Sequence, residues 1–410
     1  MKIKYQLLLY ILLLPVVSWG QKVLYVQSPD RKIELQVMIG QELEIAIIRN
    51  GTTVLQPSAI GMDVRFIGIL GENPKLKSVS RRSVTEKSSP IYIKDEVDNI
   101  YNELTASFRG NYSVVFRCYN QGVAYRFVTD FKEREIVINN EKAVFHFPSG
   151  TKGYAAYSNY GDDNDLSSQY LNSFENTYDN QLLSQLNSRR LIFYPFLVEL
   201  PDKFEKICIT ESDLRDYPGM FLQSSPDSFS MKGVWAPLPE KTVQGGHNQL
   251  QQIVVKRYDY IAHTNGKRTF PWRIFTIAEQ DRELLDNDLV YLLATPSVLK
   301  DISWIKPGKV AWDWWNDWNI SKVDFRAGIN NETYKYYIDF AAINQIKYVI
   351  LDEGWAVNQQ ADMLQVIPEI DLTELVSYAK SKNVDIILWA GYWAFHRDME
   401  KVVKHYAEMG

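Results

Sequence analysis

Cysteine is nearly absent, with only Cys118 and Cys208 in 410 residues. That excludes a disulfide scaffold and a zinc cluster built on thiolates, and the spacing of the two matches no metal motif. Whether they pair depends on their Cα separation, which the structure supplies. Histidine is scarce too, and the five residues do not cluster in sequence. There is no basic excess: 45 Lys and Arg face 50 Asp and Glu, for a net charge of -5. A general nucleic-acid binder needs clustered cations to meet phosphates, so that class is set aside. Beyond the first twenty residues no apolar run approaches the ~20 residues that span a bilayer. What the chain does have is 46% hydrophobic and 23% charged residues, enough apolar material for a core and incompatible with global disorder. Aromatics reach 13%, including 25 Tyr and 11 Trp. Their flat faces suit sugar rings or bases, and the charge balance favours sugars. At ~150 residues per domain the length predicts two or three domains.

Residues 1–20 read as a signal peptide. Lys2 and Lys4 precede an apolar stretch from Tyr5 to Val17, and Ser18-Trp19-Gly20 puts small residues where a signal peptidase reads. Cleavage is expected before Gln21, giving an exported protein, periplasmic or secreted, with no membrane span after cleavage. From Lys22 to Thr295 the hydrophobic period is mostly two. Ile33, Leu35, Val37 and Ile39 alternate with Glu34, Gln36 and Met38. Asn50-Gly51 and Asn120-Gln121-Gly122 separate apolar runs as hairpin turns do. These features predict an N-terminal β-sandwich over 21–295. The polar stretch Tyr154–Tyr178 interrupts the pattern and reads as a functional loop. Its Asp162, Asp163 and Asp165 imitate a calcium loop but lack the spacing and terminal Glu of one, and read as a solvated turn.

After Thr295 the order becomes strand then helix, repeated. Lys309–Trp312, Tyr348–Leu351 and Val384–Leu388 are short apolar strands. Tyr334, Tyr337, Ile338 and Ala341 mark a helical face, as do Leu372, Leu375, Val376 and Ala379 behind the cap pair Asp371 and Glu374. Met399, Val402, Val403 and Tyr406 mark a third. Buried strands alternating with amphipathic helices predict a helix-covered parallel sheet. Three βα units are present where a (β/α)8 TIM barrel needs eight. The expectation for 296–410 is therefore an incomplete (β/α)8 barrel, cut short inside the catalytic domain.

Chemistry in such barrels gathers at the C-terminal ends of the strands. Here those ends read Trp312-Asp313-Trp314-Trp315-Asn316-Asp317-Trp318, Asp352-Glu353-Gly354-Trp355 and Trp389-Ala390-Gly391-Tyr392-Trp393. Indoles offer apolar platforms to pyranose faces, and carboxylates accept hydrogen bonds from paired hydroxyls. The substrate-binding candidates are Trp312, Asp313, Trp314, Asp352, Glu353, Trp355 and Trp389.

The runs Val310–Trp318, Tyr348–Trp355 and Ile387–Trp393, with Asn172–Tyr178 and Val243–Gln249 upstream, resemble glycoside hydrolase family 97 over essentially all of the mature chain. The likeness is greatest to the retaining α-galactosidase branch of Bacteroidetes, with the inverting α-glucosidase branch as near relative. It implies a calcium-dependent glycosidase acting on α-linked oligosaccharides, here terminal α-galactosides. It also implies that the catalytic carboxylates fall beyond Gly410, so no catalytic residue is assigned within the chain. Two alternatives stay open: an inverting α-glucosidase of the same family, or a catalytically silent sugar-binding fragment. The family's calcium is held mostly by Glu side chains, one from the N-terminal domain. On the matched motif, Glu175 is the candidate ligand and Asn172 the second. His247, in its Gly-rich turn, has two readings, a side chain that reaches the pocket or a buried, hydrogen-bonded histidine, and the second is the expectation.

Overall fold

The computed structural model describes residues 21–90, 94–171, 173–201, 205–226 and 228–410. Residues 1–20, read from the sequence as a signal peptide, and Asn172 lie outside the described residues. The chain divides into two compact units. One comprises Met1–Leu238 with Asp259–Ser297, the other Pro239–Tyr258 with Val298–Gly410. The ranges read from sequence, 21–295 and 296–410, are continuous, whereas the structure groups one hairpin, Pro239–Gly245 and Gln251–Arg257, with the second unit. The physical reason is Leu250 at its tip, which is buried in the second unit's hydrophobic core.

Among the described residues of the first unit, 17 strands join in one antiparallel hydrogen-bonded network. Its organiser is the strand Gly122–His146, which pairs in turn with Tyr112–Tyr119, Trp272–Ala278, Ala262–Thr269, Thr52–Val64 and Ser230–Trp235. The period-two residues behave as the alternation requires: Ile33, Leu35, Val37 and Ile39 all face the core. Met38 is buried as well, so this strand is covered on both sides near its end. Asn50 and Gly51 take positive φ between the strands Leu43–Arg49 and Thr52–Val64, as a tight hairpin demands. Gly122 has a stricter reason: φ is 150°, and a Cβ there would stand 2.2 Å from the Phe275 carbonyl oxygen. Cys118 and Cys208 are both free thiols.

Beside this core sits a buried charge cluster. Arg273 donates through Nε and Nη2 to Glu141 at 3.1 and 2.8 Å, and through Nη1 to Glu211 at 2.5 Å. Tyr217 donates to Glu141 at 3.0 Å, and the Met220 amide donates to Glu211 at 2.8 Å. Two carboxylates thus share one guanidinium out of contact with water.

In the second unit, the strands Val310–Trp312, Tyr348–Leu351 and Asp385–Leu388 lie parallel in chain order. Helix Asn331–Ile343 buries Tyr334, Tyr337, Ile338 and Ala341, the face the periodicity marks. Asn330 caps it by accepting from the Thr333 amide at 2.9 Å. Helix Leu372–Ser381 is capped by Asp371 through the Glu374 amide at 2.9 Å, but Glu374 does not reach back. Its carboxylate instead accepts from Asn331 and Lys335 of the preceding helix, so it ties two helices together rather than closing a capping box. Helix Met399–Met409 buries Val402 and half-buries Tyr406, while Met399 and Val403 are exposed. The four form two neighbouring i, i+4 stripes, and only the first meets the core. The third strand is also less covered than its apolar run suggests, with Ile387 exposed, because it pairs with the second strand alone among the described residues.

Candidate functional site

The first strand runs directly into the loop Asp313–Trp318, whose short 3-10 turn Trp314–Asn316 throws three indoles together. Trp312 stacks on Trp314 at 5.9 Å and meets Trp315 edge-on at 5.4 Å. Trp314 and Trp315 are 54% and 74% exposed, so both present faces to solvent. Exposed indoles grouped at a strand tip make this a candidate binding surface.

Asp313 holds this loop. It is fully buried, and its Oδ2 accepts from Tyr334 Oη at 2.6 Å and from Trp318 Nε1 at 2.9 Å. Its Oδ1 is buried with no partner among the described residues. Burial pushes the Asp313 carboxyl up. The donors Tyr334 and Trp318 pull it down, and the nearby Asp352 carboxylate adds to the rise. Asp352 repeats the arrangement on the second strand. Its Oδ2 accepts from Trp312 Nε1 at 2.5 Å, which joins the first tip to the second, and its Oδ1 accepts from the Glu353 amide at 2.6 Å. Both aspartates therefore anchor indoles from beneath.

Glu353 is different. Its side chain keeps about a fifth of its surface open, and Oε1 accepts from Asn248 Nδ2, with His247 Nε2 3.7 Å away. These two residues come from the hairpin that joins this unit from earlier in the chain. Trp355 lies in the interior, 1% exposed. Its indole N–H donates to the Trp389 carbonyl at 2.9 Å, and its ring meets Tyr406 edge-on at 5.6 Å. That placement makes it a packing residue linking the second and third tips, out of reach of a sugar ring. Trp389 is half-buried against the same core. The structure therefore brings Trp312, Asp313, Trp314, Asp352 and Glu353 together and sets Trp355 behind them.

Residues that sequence reasoning passed over are Trp318, Tyr334 and Asn248. A buried tyrosine hydroxyl needs a partner, and that requirement was the available pointer to Tyr334. His247 departs from the expected buried histidine: its side chain is 83% exposed. The cause is the turn around it, where Gly246, Asn248 and Gln249 all take positive φ and lift the imidazole outward.

Glu175 is exposed on the first unit, its backbone carbonyl accepting from Asn159 Nδ2. Asp163 pairs with Arg190 at 2.6 Å and Asp165 caps the 3-10 turn Leu166–Tyr170, so the aspartates of that stretch serve local structure. Among the described residues no group of three or more His, Cys, Asp or Glu converges to hold a metal ion. A calcium ion takes 6–8 oxygen ligands. Glu175 fits in kind, but the described residues do not fit in number.

Residues 26–296 match the family model described as glycosyl-hydrolase 97 N-terminal, and residues 314–410 match glycoside hydrolase 97. The chain is similar to the retaining alpha-galactosidase of Bacteroides thetaiotaomicron, 52% identical over 392 residues that cover 95% of this chain and 59% of that protein. It is also similar to a "Probable retaining alpha-galactosidase" of Streptomyces bingchenggensis, 24% identical over 91% of this chain and 52% of that protein. Among solved structures, a glycoside hydrolase family 97 enzyme of Pseudoalteromonas sp. strain K8 in complex with acarbose is similar in fold. The TM-score is 0.75 at 21% identity, over 94% of this chain and 57% of that one. The chain thus spans between half and three-fifths of the length of these relatives.

Proposed function

The chain belongs to glycoside hydrolase family 97, and on that premise we propose that it carries the N-terminal β-sandwich and the first three βα units of the (β/α)8 barrel of a retaining α-galactosidase. The observation that carries the reading is the 52% identity to a retaining alpha-galactosidase over 95% of the chain. The rim chemistry supports it. The exposed Trp314 and Trp315 offer platforms for the C–H face of a terminal galactoside, and Glu353 accepts from its hydroxyls. Asp352 fixes Trp312, which both platform rings pack against, and Asp313 fixes Trp318 at the far end of the same loop. In retaining enzymes two carboxyl groups stand ~5–5.5 Å apart and do the bond chemistry. The acids of this rim are assigned to gripping and support, not to that pair. Calcium is proposed as the cofactor of the whole enzyme, with Glu175 as the carboxylate this chain contributes. Export to the periplasm or medium is proposed from residues 1–20, and a mature N-terminus at Gln21 checks it.

A second reading is favoured by the 59% coverage of the Bacteroides protein: the chain by itself grips α-galactosides without cleaving them. One experiment separates the two. The full-length enzyme and this chain are each incubated with p-nitrophenyl α-galactoside and the glucoside, and galactoside binding by the chain is followed by calorimetry. Release of p-nitrophenol by the full-length enzyme, with α-galactose as first product, supports the enzyme reading, and its absence overturns it. Galactoside binding without release by the chain supports the second reading, and absence of binding overturns that one.

A further inference from the structure

We propose that the hairpin Pro239–Tyr258 is a wall of the sugar site, in which His247 contacts the ligand directly and Asn248 is the positioning residue for Glu353. The inference rests on the sugar-site reading above and adds to it a ligand contact that comes from outside the βα units.

The hairpin tip is fixed from two sides. The Gln359 amide donates to the Asn248 carbonyl at 2.9 Å, and Gln359 Nε2 donates to Asn248 Oδ1 at 3.3 Å. On the other side the Trp393 amide donates to the Leu250 carbonyl at 3.0 Å, and Leu250 itself is buried. Gly391 lies flat against that leucine, where a Cβ would stand 2.6 Å from Leu250 Cβ. Asn248 and Gln249 hold φ at 48° and 61°, a left-handed backbone that asparagine tolerates and that a glutamine keeps only when its surroundings impose it. The strained turn has a visible product: it aims Asn248 Nδ2 at Glu353 Oε1 and leaves His247 in solvent beside the same carboxylate.

Glu353 Oε2 has no donor among the described hydrogen bonds, so the rim presents an open acceptor next to an exposed imidazole. A ring N–H and a carboxylate oxygen side by side match two neighbouring hydroxyls of a pyranoside, one accepting and one donating. The chemical class is therefore a saccharide with a vicinal diol, seated with its ring near Trp314 and Trp315.

The test is a titration of the full chain with methyl α-galactoside, followed by tryptophan fluorescence. His247→Ala should weaken the apparent Kd by roughly three- to tenfold, the worth of one hydrogen bond, with an unchanged Tm because the side chain is exposed. His247→Gln, which keeps a donor, should recover most of the loss. Asn248→Asp, which faces Glu353 with a second carboxylate, should weaken binding at least as much as His247→Ala. A saturable wild-type response with the same Kd in His247→Ala overturns this proposal alone. A wild-type chain with no saturable response overturns it together with the sugar-site reading.

Discussion

Raising the pH should destabilise the first unit through Glu211. Its burial outweighs the pull of Arg273 and of the Met220 amide, and the neighbouring Glu141 carboxylate adds to the effect, so the carboxyl is raised to about 7. A solvated glutamate sits at 4.5. At about 1.4 kcal/mol for each tenfold in proton affinity, the gap is worth roughly 3.5 kcal/mol. Between pH ~4.5 and ~7 the folded chain holds a proton that the unfolded chain has released, so stability falls as pH rises through that window and levels off above it. Glu211→Gln imitates the protonated state. It should match the wild type near pH 4 and exceed it by up to ~3.5 kcal/mol at pH 8, about 7–14 °C in Tm for a unit of this size. The assay is thermal unfolding of both proteins by circular dichroism across that range. Taking the difference between them cancels every other titrating group. Parallel curves would refute the reasoning, because they would mean that Glu211 carries no proton the unfolded chain lacks.

Asp313→Ala should cost about 2–4 kcal/mol in urea unfolding of the second unit, since it leaves the Tyr334 hydroxyl and the Trp318 N–H without their acceptor. A cost below ~1 kcal/mol would mean that water reaches those donors. Gly391→Ala should destabilise by about 1–3 kcal/mol through the clash with Leu250. It should also make 239–258 the first stretch cut by a protease, and an unchanged digestion pattern would count against the close packing described.

Much of the fold was legible because it rests on short-range patterns. Ile33–Ile39 shows its alternation openly, and the Asn-Gly turn at 50–51 names its own geometry. The parallel strand Tyr348–Leu351 and the helical face of Tyr334 to Ala341 follow from apolar period alone. The site was legible in kind but not in depth. Trp314 and Trp355 look alike in sequence, each close behind an acid at a strand tip, yet one faces solvent and the other Tyr406. What separates them is which helix packs behind each tip, a long-range fact. The same limit hid the partner of Glu353. Asn248 lies 105 residues away and reaches the carboxylate only because a hairpin crosses from one unit to the other. The outward His247 was missed because a Gly-rich turn suggests tightness without saying which side chain it lifts clear.

That crossing also decides how the molecule comes apart. Leu238 donates its amide to the Tyr260 carbonyl at 2.8 Å, so the outgoing and returning strands are tied at the point of departure. A single nick in the peptide near Ser297 would therefore not yield two free halves. The later fragment would remain clasped around Leu250, a residue covalently owned by the earlier one, and the pieces would travel together until the protein was denatured.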